Sequence, residues 1–356
     1  MEQSFIAYIE NSIKNNWDLD ALTDYKGATL QYKDVARKIE KLHIIFEESG
    51  IRKGDKIAVC GRNSSHWGVT FLATLTYGAV IVPILHEFKA DNVHNIVNHS
   101  EAKLLFVGDM VWENLNESAM PLLEGILMMN DFTLLVSRSE RLTHAREHLN
   151  EMFGKKYPKN FRREHIEYHK DEPEELAVIN YTSGTTSYSK GVMLPYRSLW
   201  SNTKFAFEVL ELEAGDKIVS MLPMAHMYGL AFEFLYEFSV GCHIYFRSVY
   251  VYDMETQTSK KLFTHEPGWD LYNYKIMDGH VIAICGTEDT CRAWAIDIMD
   301  GSVVELDTYG ENVVAFSAHY ECNGYFVGLL HASNNADQYY ISKEDFYRSN
   351  YDAAFR

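Results

Sequence analysis

A polar loop between two apolar runs constrains the fold of this chain most strongly. Residues 176–179 and 192–194 are apolar, and residues 181–190 between them read Tyr-Thr-Ser-Gly-Thr-Thr-Ser-Tyr-Ser-Lys. Two strands joined by such a loop form a hairpin with hydroxyls, one glycine and one ammonium group at its tip. Gly184 lets backbone amides turn towards an anion, and Lys190 adds compact positive charge, a combination typical of polyphosphate sites. The candidate phosphate-binding residues are Thr182, Ser183, Gly184, Thr185, Thr186 and Lys190.

The loop differs from the Walker loop of P-loop proteins. In that motif a Lys followed by Ser or Thr opens a helix directly after the glycine turn. Here Gly191 follows Lys190, and a strand pattern comes next. A polar surface hairpin without a ligand is the alternative, because Ser, Thr and Gly are common at turn tips. The unbroken run of polar residues with a Lys four positions after Thr186 favours phosphate binding.

Short apolar strands alternate with helical patterns on both sides of the loop. Asp91 is predicted to cap one of these helices. Such alternation predicts an α/β fold with mainly parallel sheets flanked by helices. The predicted helices span 30–50, 64–77, 91–99 and 195–210, and the predicted strands span 54–60, 78–84, 104–107, 134–136, 215–221 and 242–246.

The loop resembles the phosphate-binding signature of the AMP-forming acyl-CoA ligases and other adenylate-forming enzymes. That signature reads Tyr/Phe-Thr-Ser-Gly-Thr-Thr-Gly-x-Pro-Lys-Gly-Val. Residues 181–186 and 190–192 match it, while Ser187 replaces the usual Gly and Ser189 the usual Pro. Both replacements affect the stiffness of the tip and leave its hydrogen-bond donors in place.

Further motifs extend the resemblance over residues 22–246. Residues 30–35, 54–60 and 75–84 resemble, in order, the family's Leu-Thr-Tyr-x-Glu-Leu, Gly-Asp-x-Val-Ala and Gly-Ala-x-x-Val-Pro-Leu segments. Residues 223–229 resemble its Pro-x-x-His-x-x-Gly segment, which implies that His226 lines the cleft where the acyl group meets ATP. A capping or packing histidine before a buried helix is the alternative for His226.

The resemblance implies an ATP-dependent ligase reaction. A carboxylate substrate would attack the α-phosphorus of ATP to give acyl-AMP and pyrophosphate, and CoA would then accept the acyl group. The loop would hold the β- and γ-phosphates, and Lys190 would offset charge on the leaving pyrophosphate. Mg²⁺ would bridge the phosphates, although no protein ligand for it is evident in the sequence.

The later motifs of this family have no clear counterpart in the chain. We find no Asp for the ribose, no hinge and no lid Lys after Phe246, and Thr308-Tyr-Gly-Glu-Asn312 matches the Tyr-Gly-x-Thr-Glu motif only in part. We interpret that stretch as a loop. Two functions therefore stay open. The chain is either a carboxylate–CoA ligase, incomplete as written, or an inactive, truncated or fused chain that binds nucleotide or a protein partner.

The composition changes near Arg247. Residues 248–356 carry more than half of the net negative charge and a single proline, Pro267. They also repeat: Gly279 and Gly324 each follow Asp or Asn in a predicted hairpin turn, 45 residues apart (324 − 279). A period near 45 with four short strands is typical of a β-propeller blade, and about two blades fit within 248–345. We therefore predict a partial AMP-binding domain over 1–247 and an all-β, propeller-like antiparallel segment over 248–356.

Charge and cysteine usage restrict the partners and the compartment. The net charge of −17 argues against nucleic acid and anionic membranes as electrostatic partners. Five cysteines without a Cys-x-x-Cys pair indicate free thiols in a reducing compartment and no zinc site. The N-terminus shows neither a signal peptide nor an apolar span, and we expect a cytoplasmic protein. The sequence favours surface positions over metal ligation for four histidines: His144, His148, His165 and His169.

Overall fold

The structure, a computed structural model, forms two compact units. We refer to Met1–Arg247 as the first unit and Ser248–Arg356 as the second unit. Their division falls where the composition of the sequence changes. The described residues are 4–24, 27–182, 190–246, 250–253, 258–261, 270–277, 280–286, 291–297, 302–306, 308–309, 313–314, 316–322, 325–330, 339–348 and 350–354.

The first unit alternates helices and strands along the chain. Its elements are, in order, α1 (Phe5–Asn15), β1 (Asp20–Asp24), β2 (Thr29–Gln31), α2 (Tyr32–Ser49), β3 (Lys56–Cys60), α3 (Ser65–Tyr77), β4 (Val80–Ile84), α4 (Ala90–His99), β5 (Ala102–Val107), α5 (Asp109–Trp112), β6 (Gly125–Met128), β7 (Leu134–Ser137), α6 (Glu140–Glu147), α7 (Leu149–Lys156), β8 (Leu176–Thr182), β9 (Lys190–Pro195), α8 (Tyr196–Val209), β10 (Lys217–Ser220), α9 (Met227–Leu230), α10 (Tyr236–Val240) and β11 (His243–Phe246). Short 3₁₀ helices lie at Glu117–Ala119 and Arg163–His165, and a π-helical turn, Ala231–Leu235, joins α9 to α10.

Two sheets organise the first unit. The larger has seven strands in the order β7-β6-β5-β3-β4-β8-β9, parallel except at its edge pairs β6–β7 and β8–β9. The smaller has four strands in the order β10-β11-β1-β2, in which Leu22 pairs with Ile244 and Ile218 also pairs with Ile244. The predicted α/β fold with mainly parallel sheets is confirmed. The pairing of β1 with β11, more than 200 residues later, has no signal in the local sequence.

Local signals explain most of the predicted helices. Gly50 ends α2 with φ of 82°, a left-handed conformation that suits glycine. Ser64 begins α3, because its side chain accepts a hydrogen bond from the Trp67 amide at 3.1 Å. The predicted cap at Asp91 is wrong. Lys89 is the N-cap of α4, and Asp91 lies in the first turn, where its charge still favours the helix N-terminus.

Helices cover both faces of the larger sheet. On one face the core includes Trp67 and Phe71, whose rings stack 5.4 Å apart. On the other face α4 packs over β4 and β5 through Val93 and Val97. Each fully buried side chain of this size stabilises the fold by roughly 1.5–3 kcal/mol. None of the helices in the described part of the chain combines the length and the apolar character needed to cross a bilayer.

In its described residues the second unit contains antiparallel strands, a short α-helix and a 3₁₀ helix, which confirms the predicted antiparallel β-rich segment. Its elements are β12 (Tyr250–Asp253), β13 (Thr258–Lys261), β14 (Asp270–Met277), β15 (His280–Gly286), β16 (Cys291–Asp297), β17 (Val303–Leu306), β18 (Thr308–Tyr309), β19 (Val313–Val314), β20 (Phe316–Cys322), β21 (Tyr325–Leu330), β22 (Tyr339–Ser342) and α11 (Lys343–Tyr347). Thr308 and Tyr309, interpreted above as part of a loop, form a strand.

The strand pairings of the second unit repeat along the chain. Met277 pairs with His280 and Cys322 with Tyr325, while His280 also pairs with Asp297 and Tyr325 with Ser342. Each pair is displaced by 45 residues from its counterpart, as in 322 − 277 and 342 − 297. The predicted turns at 278–279 and 323–324 lie outside the described residues. The copies differ at their ends, since α11 and a 3₁₀ helix (Tyr351–Ala353) follow β22 where the first copy has β17.

Candidate functional site

The predicted phosphate-binding loop lies at the end of an antiparallel hairpin. Strands β8 and β9 pair in a register that places Thr182 opposite Lys190, which confirms the two strands predicted on either side of the loop. Lys190 is exposed. Within the described part of the chain its ammonium group forms no ion pair. The remaining predicted residues lie outside the described part: Ser183, Gly184, Thr185, Thr186 and the side chain of Thr182.

The base of this hairpin is fixed by a tyrosine. The hydroxyl of Tyr181 lies 2.6 Å from Nδ1 of His99, at the end of α4, and only 6% of Tyr181 is exposed. Gly191 makes room for the ring, since a Cβ atom there would lie 3.1 Å from Tyr181 Cζ and 3.0 Å from Ile179 Cγ2. The Gly after the predicted phosphate-binding Lys therefore has a packing role.

The hairpin opens at the carboxyl edge of the larger sheet. Because β4 and β8 are parallel, with Ile81 beside Val178, the residues after both strands leave the sheet on the same side. His86 and Glu87 follow β4 there, and their Nδ1 and Oε1 atoms lie 2.7 Å apart. Ligands of open α/β sheets bind at this edge.

The segment Leu222–His226 is tied to the same sheet by two asparagines. Asn63, just after β3, donates to the Leu222 carbonyl at 2.7 Å and accepts from the Met224 amide at 2.8 Å. Asn180, in β8, donates to the Ala225 carbonyl at 2.9 Å and is itself buried. Since Asn180 lies two residues before Thr182, these bonds hold His226 beside the base of the hairpin.

His226 begins the helical stretch that runs from α9 to α10. Its amide donates to the Pro223 carbonyl at 2.9 Å, its side chain makes no capping hydrogen bond, and the residue is exposed. His226 therefore occupies the N-cap position of α9, but its side chain neither caps the helix nor packs into the core. Gly229 lets the segment fold back, because a Cβ atom there would lie 2.8 Å from the Pro223 carbonyl oxygen.

Two buried carboxyl groups lie behind this segment. Oε2 of Glu233, in the π-helical turn, accepts from the amides of Met221 and Leu222 at 2.6 and 2.8 Å. Burial raises the pKa of Glu233, although these two amides oppose the shift. One turn later, burial raises the pKa of Glu237 to about 7, and the charge of Glu233 adds to the shift. Glu233 therefore acts as an anchor that shapes the loop before Pro223.

The described residues contain no evident metal-binding site. No three of their His, Cys, Asp or Glu side chains converge in a way that could hold an ion. Among the four histidines assigned to the surface, His144, His148 and His165 are exposed, whereas His169 is half-buried. His169 Nε2 lies 3.0 Å from a carboxylate oxygen of Glu175.

Sequence reasoning missed the residues that assemble the site. Asn63, Asn180, His99 and Glu233 belong to no motif used above, and their partners are 11 to 161 residues away. The available signal was modest. Asn63 lies three residues after a predicted strand, and Asn180 is an amide within an otherwise apolar strand.

A scan against family models identifies one match to this chain. The model described as AMP-binding enzyme matches residues 9–262. Among curated proteins, long-chain-fatty-acid–CoA ligase 5 of Rattus norvegicus is 28% identical over 218 residues, which cover 56% of this chain and 30% of that protein. Long chain acyl-CoA synthetase 3 of Arabidopsis thaliana is 28% identical over 207 residues, with coverage of 57% and 31%. The chain therefore spans about a third of the length of these relatives.

Solved structures of ligases share the fold. The anthranilate CoA ligase AuaEII in complex with anthranoyl-AMP superposes with a TM-score of 0.57 at 17% identity, over 68% of this chain and 44% of that chain. A long-chain-fatty-acid-CoA ligase (FadD1) from Archaeoglobus fulgidus gives a TM-score of 0.56 at 23% identity, over 69% and 47%. At these identities the likeness shows the fold alone.

Proposed function

Because the chain belongs to the AMP-binding enzyme family, we propose that its first unit binds the triphosphate of ATP together with a fatty-acid carboxylate, as part of an AMP-forming acyl-CoA ligase. One observation carries the proposal. The exposed Lys190 and the exposed His226 stand on separate segments that Asn180 joins, so a cation and an imidazole share one edge of the sheet. Phosphates would lie at Lys190, and the carboxylate would lie towards His226.

In the proposed reaction, an oxygen of the carboxylate attacks the α-phosphorus of ATP. The bond from that phosphorus to the bridging oxygen breaks, and pyrophosphate leaves. The Lys190 ammonium would offset the charge that develops on the leaving group, which lowers the barrier most when water is excluded. The hydroxyls of Thr182, Ser183, Thr185 and Thr186 would hold the β- and γ-phosphates. A CoA thiol would then accept the acyl group.

The cofactors of this proposal come from the family. Mg²⁺ would arrive with ATP, because the described residues provide no group of three ligands for it. CoA would be a co-substrate of the second half-reaction.

A second candidate is a nucleotide-binding or protein-interaction module without complete catalysis. The residues expected to hold ribose and to close the site were not found after Phe246. In this case Lys190 would still bind phosphate, and no carboxylate would be activated.

For the second unit we propose a propeller-like array of about two blades within 248–345. The 45-residue displacement of its strand pairs supports this organisation, as does the four-stranded sheet β14–β17. We further propose a reducing, cytoplasmic setting, which the free, buried thiols of Cys60 and Cys242 support.

Carboxylate-dependent exchange of pyrophosphate into ATP tests the proposed function. The purified chain is assayed with Mg²⁺ and with acids from acetate to long-chain fatty acids, alongside Lys190→Ala. We expect exchange by the wild type and a loss of about 100-fold or more in the variant, because one preorganised charge is removed. Arg197→Ala is the control, since its guanidinium already contacts Glu174 at 2.7 Å on the surface.

The outcomes separate the two candidates. Absence of exchange with every acid, together with ATP binding that Lys190→Ala weakens, would establish the nucleotide-binding module and exclude the ligase. Absence of both exchange and ATP binding would overturn the proposed function altogether.

A further inference from the structure

A lysine and a histidine form a pair away from the phosphate-binding hairpin. Lys38 lies in the second turn of α2 and is half-buried, and His66 lies in the first turn of α3. Their Nζ and Nε2 atoms are 3.0 Å apart. The pair lies beside the turn after β6, four strands from β8 in the sheet order. Neither side chain is among the residues that hold the hairpin or the segment Leu222–His226.

An aromatic residue in an unusual conformation covers this pair. Phe132, in the turn between β6 and β7, has φ of 59°, a left-handed conformation that is costly for a bulky side chain. Its ring packs edge-on against His66 with centroids 5.1 Å apart, and Lys38 Nζ lies 6.0 Å from its centroid. Arg146 Nε donates to the Phe132 carbonyl at 2.6 Å and helps to hold the turn. Backbone strain of this kind clusters at functional sites.

Burial lowers the pKa of both groups of the pair. It lowers the pKa of Lys38, and the neighbouring charge of Lys41 acts in the same direction. It also lowers the pKa of His66 to about 4, with the charge of Lys38 adding to the effect. The other charged groups that face the pair are Asp34 on α2, Asp24 at the end of β1 and Asp131 in the β6–β7 turn, and they oppose these shifts only in part.

We propose that Lys38 is a covalent acylation site for carboxylic–phosphoric mixed anhydrides, with His66 as its proton acceptor. A nucleophile within hydrogen-bond distance of a neutral base, with both partners held by packing, is the arrangement that activates an amine. Acyl phosphates and acyl adenylates share the required chemistry. The proposal does not require that this chain forms the adenylate itself.

The step balances in atoms and charge. The unprotonated amine of Lys38 attacks the carbonyl carbon of the anhydride. The bond from that carbon to the bridging oxygen breaks, and phosphate or AMP leaves with the bonding electrons. An amide forms on Nζ, and the surplus proton passes to His66 Nε2 and then to water. No oxidant or reductant is needed.

Limited labelling of the full chain tests the proposal. The chain is treated with substoichiometric acetyl phosphate between pH 6.5 and 9, and acetylation at each lysine is followed by peptide mass spectrometry. Lys33 is the internal reference, because it lies on the same helix and contacts Asp18 at 2.9 Å. We expect Lys38 to react at least about threefold faster than Lys33 near pH 7, since each unit of pKa depression raises the unprotonated fraction up to tenfold.

A matched variant separates reactivity from packing. In His66→Gln the amide oxygen still accepts a hydrogen bond from Lys38 but takes no proton, so we expect the ratio of Lys38 to Lys33 labelling to fall towards one. Circular dichroism and thermal unfolding check that the variant folds. A second arm replaces acetyl phosphate with ATP, acetate and Mg²⁺.

Each result has a defined meaning. Preferential labelling by acetyl phosphate shows that a free mixed anhydride suffices, and labelling only in the ATP arm identifies an adenylate made by the chain. Equal labelling of Lys38 and Lys33 in both arms would overturn the acylation site. An unchanged ratio in His66→Gln would overturn the role of His66. The results with acetyl phosphate do not depend on whether the wild type catalyses pyrophosphate exchange.

Discussion

The two units are built from different kinds of contact. In the first unit the partners are remote in sequence, as when Asn63 binds the backbone at Leu222 or the Tyr32 hydroxyl donates to the Cys242 carbonyl at 2.8 Å. In the second unit each paired strand is joined to a near neighbour in the chain, and the four-stranded sheet runs β14-β15-β16-β17 in order. The site of the first unit therefore forms only when distant segments meet, whereas the sheets of the second unit depend on local hairpins.

The largest effect is expected from the core of the second unit. Phe326 is fully buried and lies 4.8 Å, centroid to centroid, from Phe346 on α11. Phe326→Ala should lower the free energy of unfolding of this unit by about 3–5 kcal/mol, because it leaves a cavity. Hydrogen exchange followed by mass spectrometry should show lost protection in residues 248–356 and not in 1–247. Val304→Ala, at an exposed position of the same unit, is the control. Loss of protection in both units would contradict the view that the second unit is stabilised by its own local contacts.

A pH-dependent effect is expected from the first unit. The folded chain keeps the proton of Glu237, whose pKa is raised by burial to about 7, whereas the unfolded chain releases it near 4.5. The free energy of unfolding should therefore fall as pH rises from 4.5 to 7, by about 3 kcal/mol from this group. Urea denaturation between pH 4.5 and 7 should show that the free energy of unfolding depends less on pH in Glu237→Gln than in the wild type. The same flattening in Glu208→Gln, an exposed carboxylate near Lys204, would contradict the assignment.

A smaller effect is expected where the His226 segment folds back. In Gly229→Ala the new methyl group meets the backbone at Pro223, so we expect a loss of about 2 kcal/mol in urea denaturation. Gly154→Ala is the matched control, because a Cβ atom on α7 meets nothing within 4 Å. There we expect a gain of about 0.5–1 kcal/mol. Equal effects at the two glycines would show that the tight turn before α9 is not needed.

The smallest effect is expected at the base of the hairpin. Tyr181→Phe removes the hydroxyl that contacts His99 and leaves the ring against Gly191. We expect a loss of about 1 kcal/mol, typical of one intramolecular hydrogen bond. Met193→Ala, on the exposed face of the same hairpin, should stay within about 0.5 kcal/mol. If Tyr181→Phe changed the free energy of unfolding as little as Met193→Ala, the base of the hairpin would not depend on this hydrogen bond.

Much of the first unit could be predicted from local sequence. Gly50 and Ser64 mark helix ends by chemistry that acts within one turn, and the apolar runs around the loop predicted the hairpin. The smaller sheet could not be predicted, because β1 and β11 meet only after the intervening chain has folded. The roles of Asn63 and Asn180 were missed for the same reason, since a side-chain bond to a remote carbonyl leaves no periodic pattern.

In the second unit the 45-residue repeat was predicted from the sequence, but the helix α11 at the end of the unit was not. Aromatic strand residues and turn residues recur every 45 residues in the sequence. The strand pairings of the structure repeat at the same interval. The helix α11 was missed, although Ser342 accepts a hydrogen bond from the Asp345 amide at 3.0 Å and begins the helix there. That N-cap, with acidic residues in the first turn, was a readable signal.

Hydrogen exchange with and without MgATP tests most directly whether remote contacts assemble one site. In the wild type, ATP should protect residues 181–195 and 222–230 together. In Asn63→Ala, where the segment loses two hydrogen bonds, the protection of 222–230 should fall and ATP should bind more weakly. Unchanged protection of both segments in Asn63→Ala, or protection of neither segment in the wild type, would contradict the account.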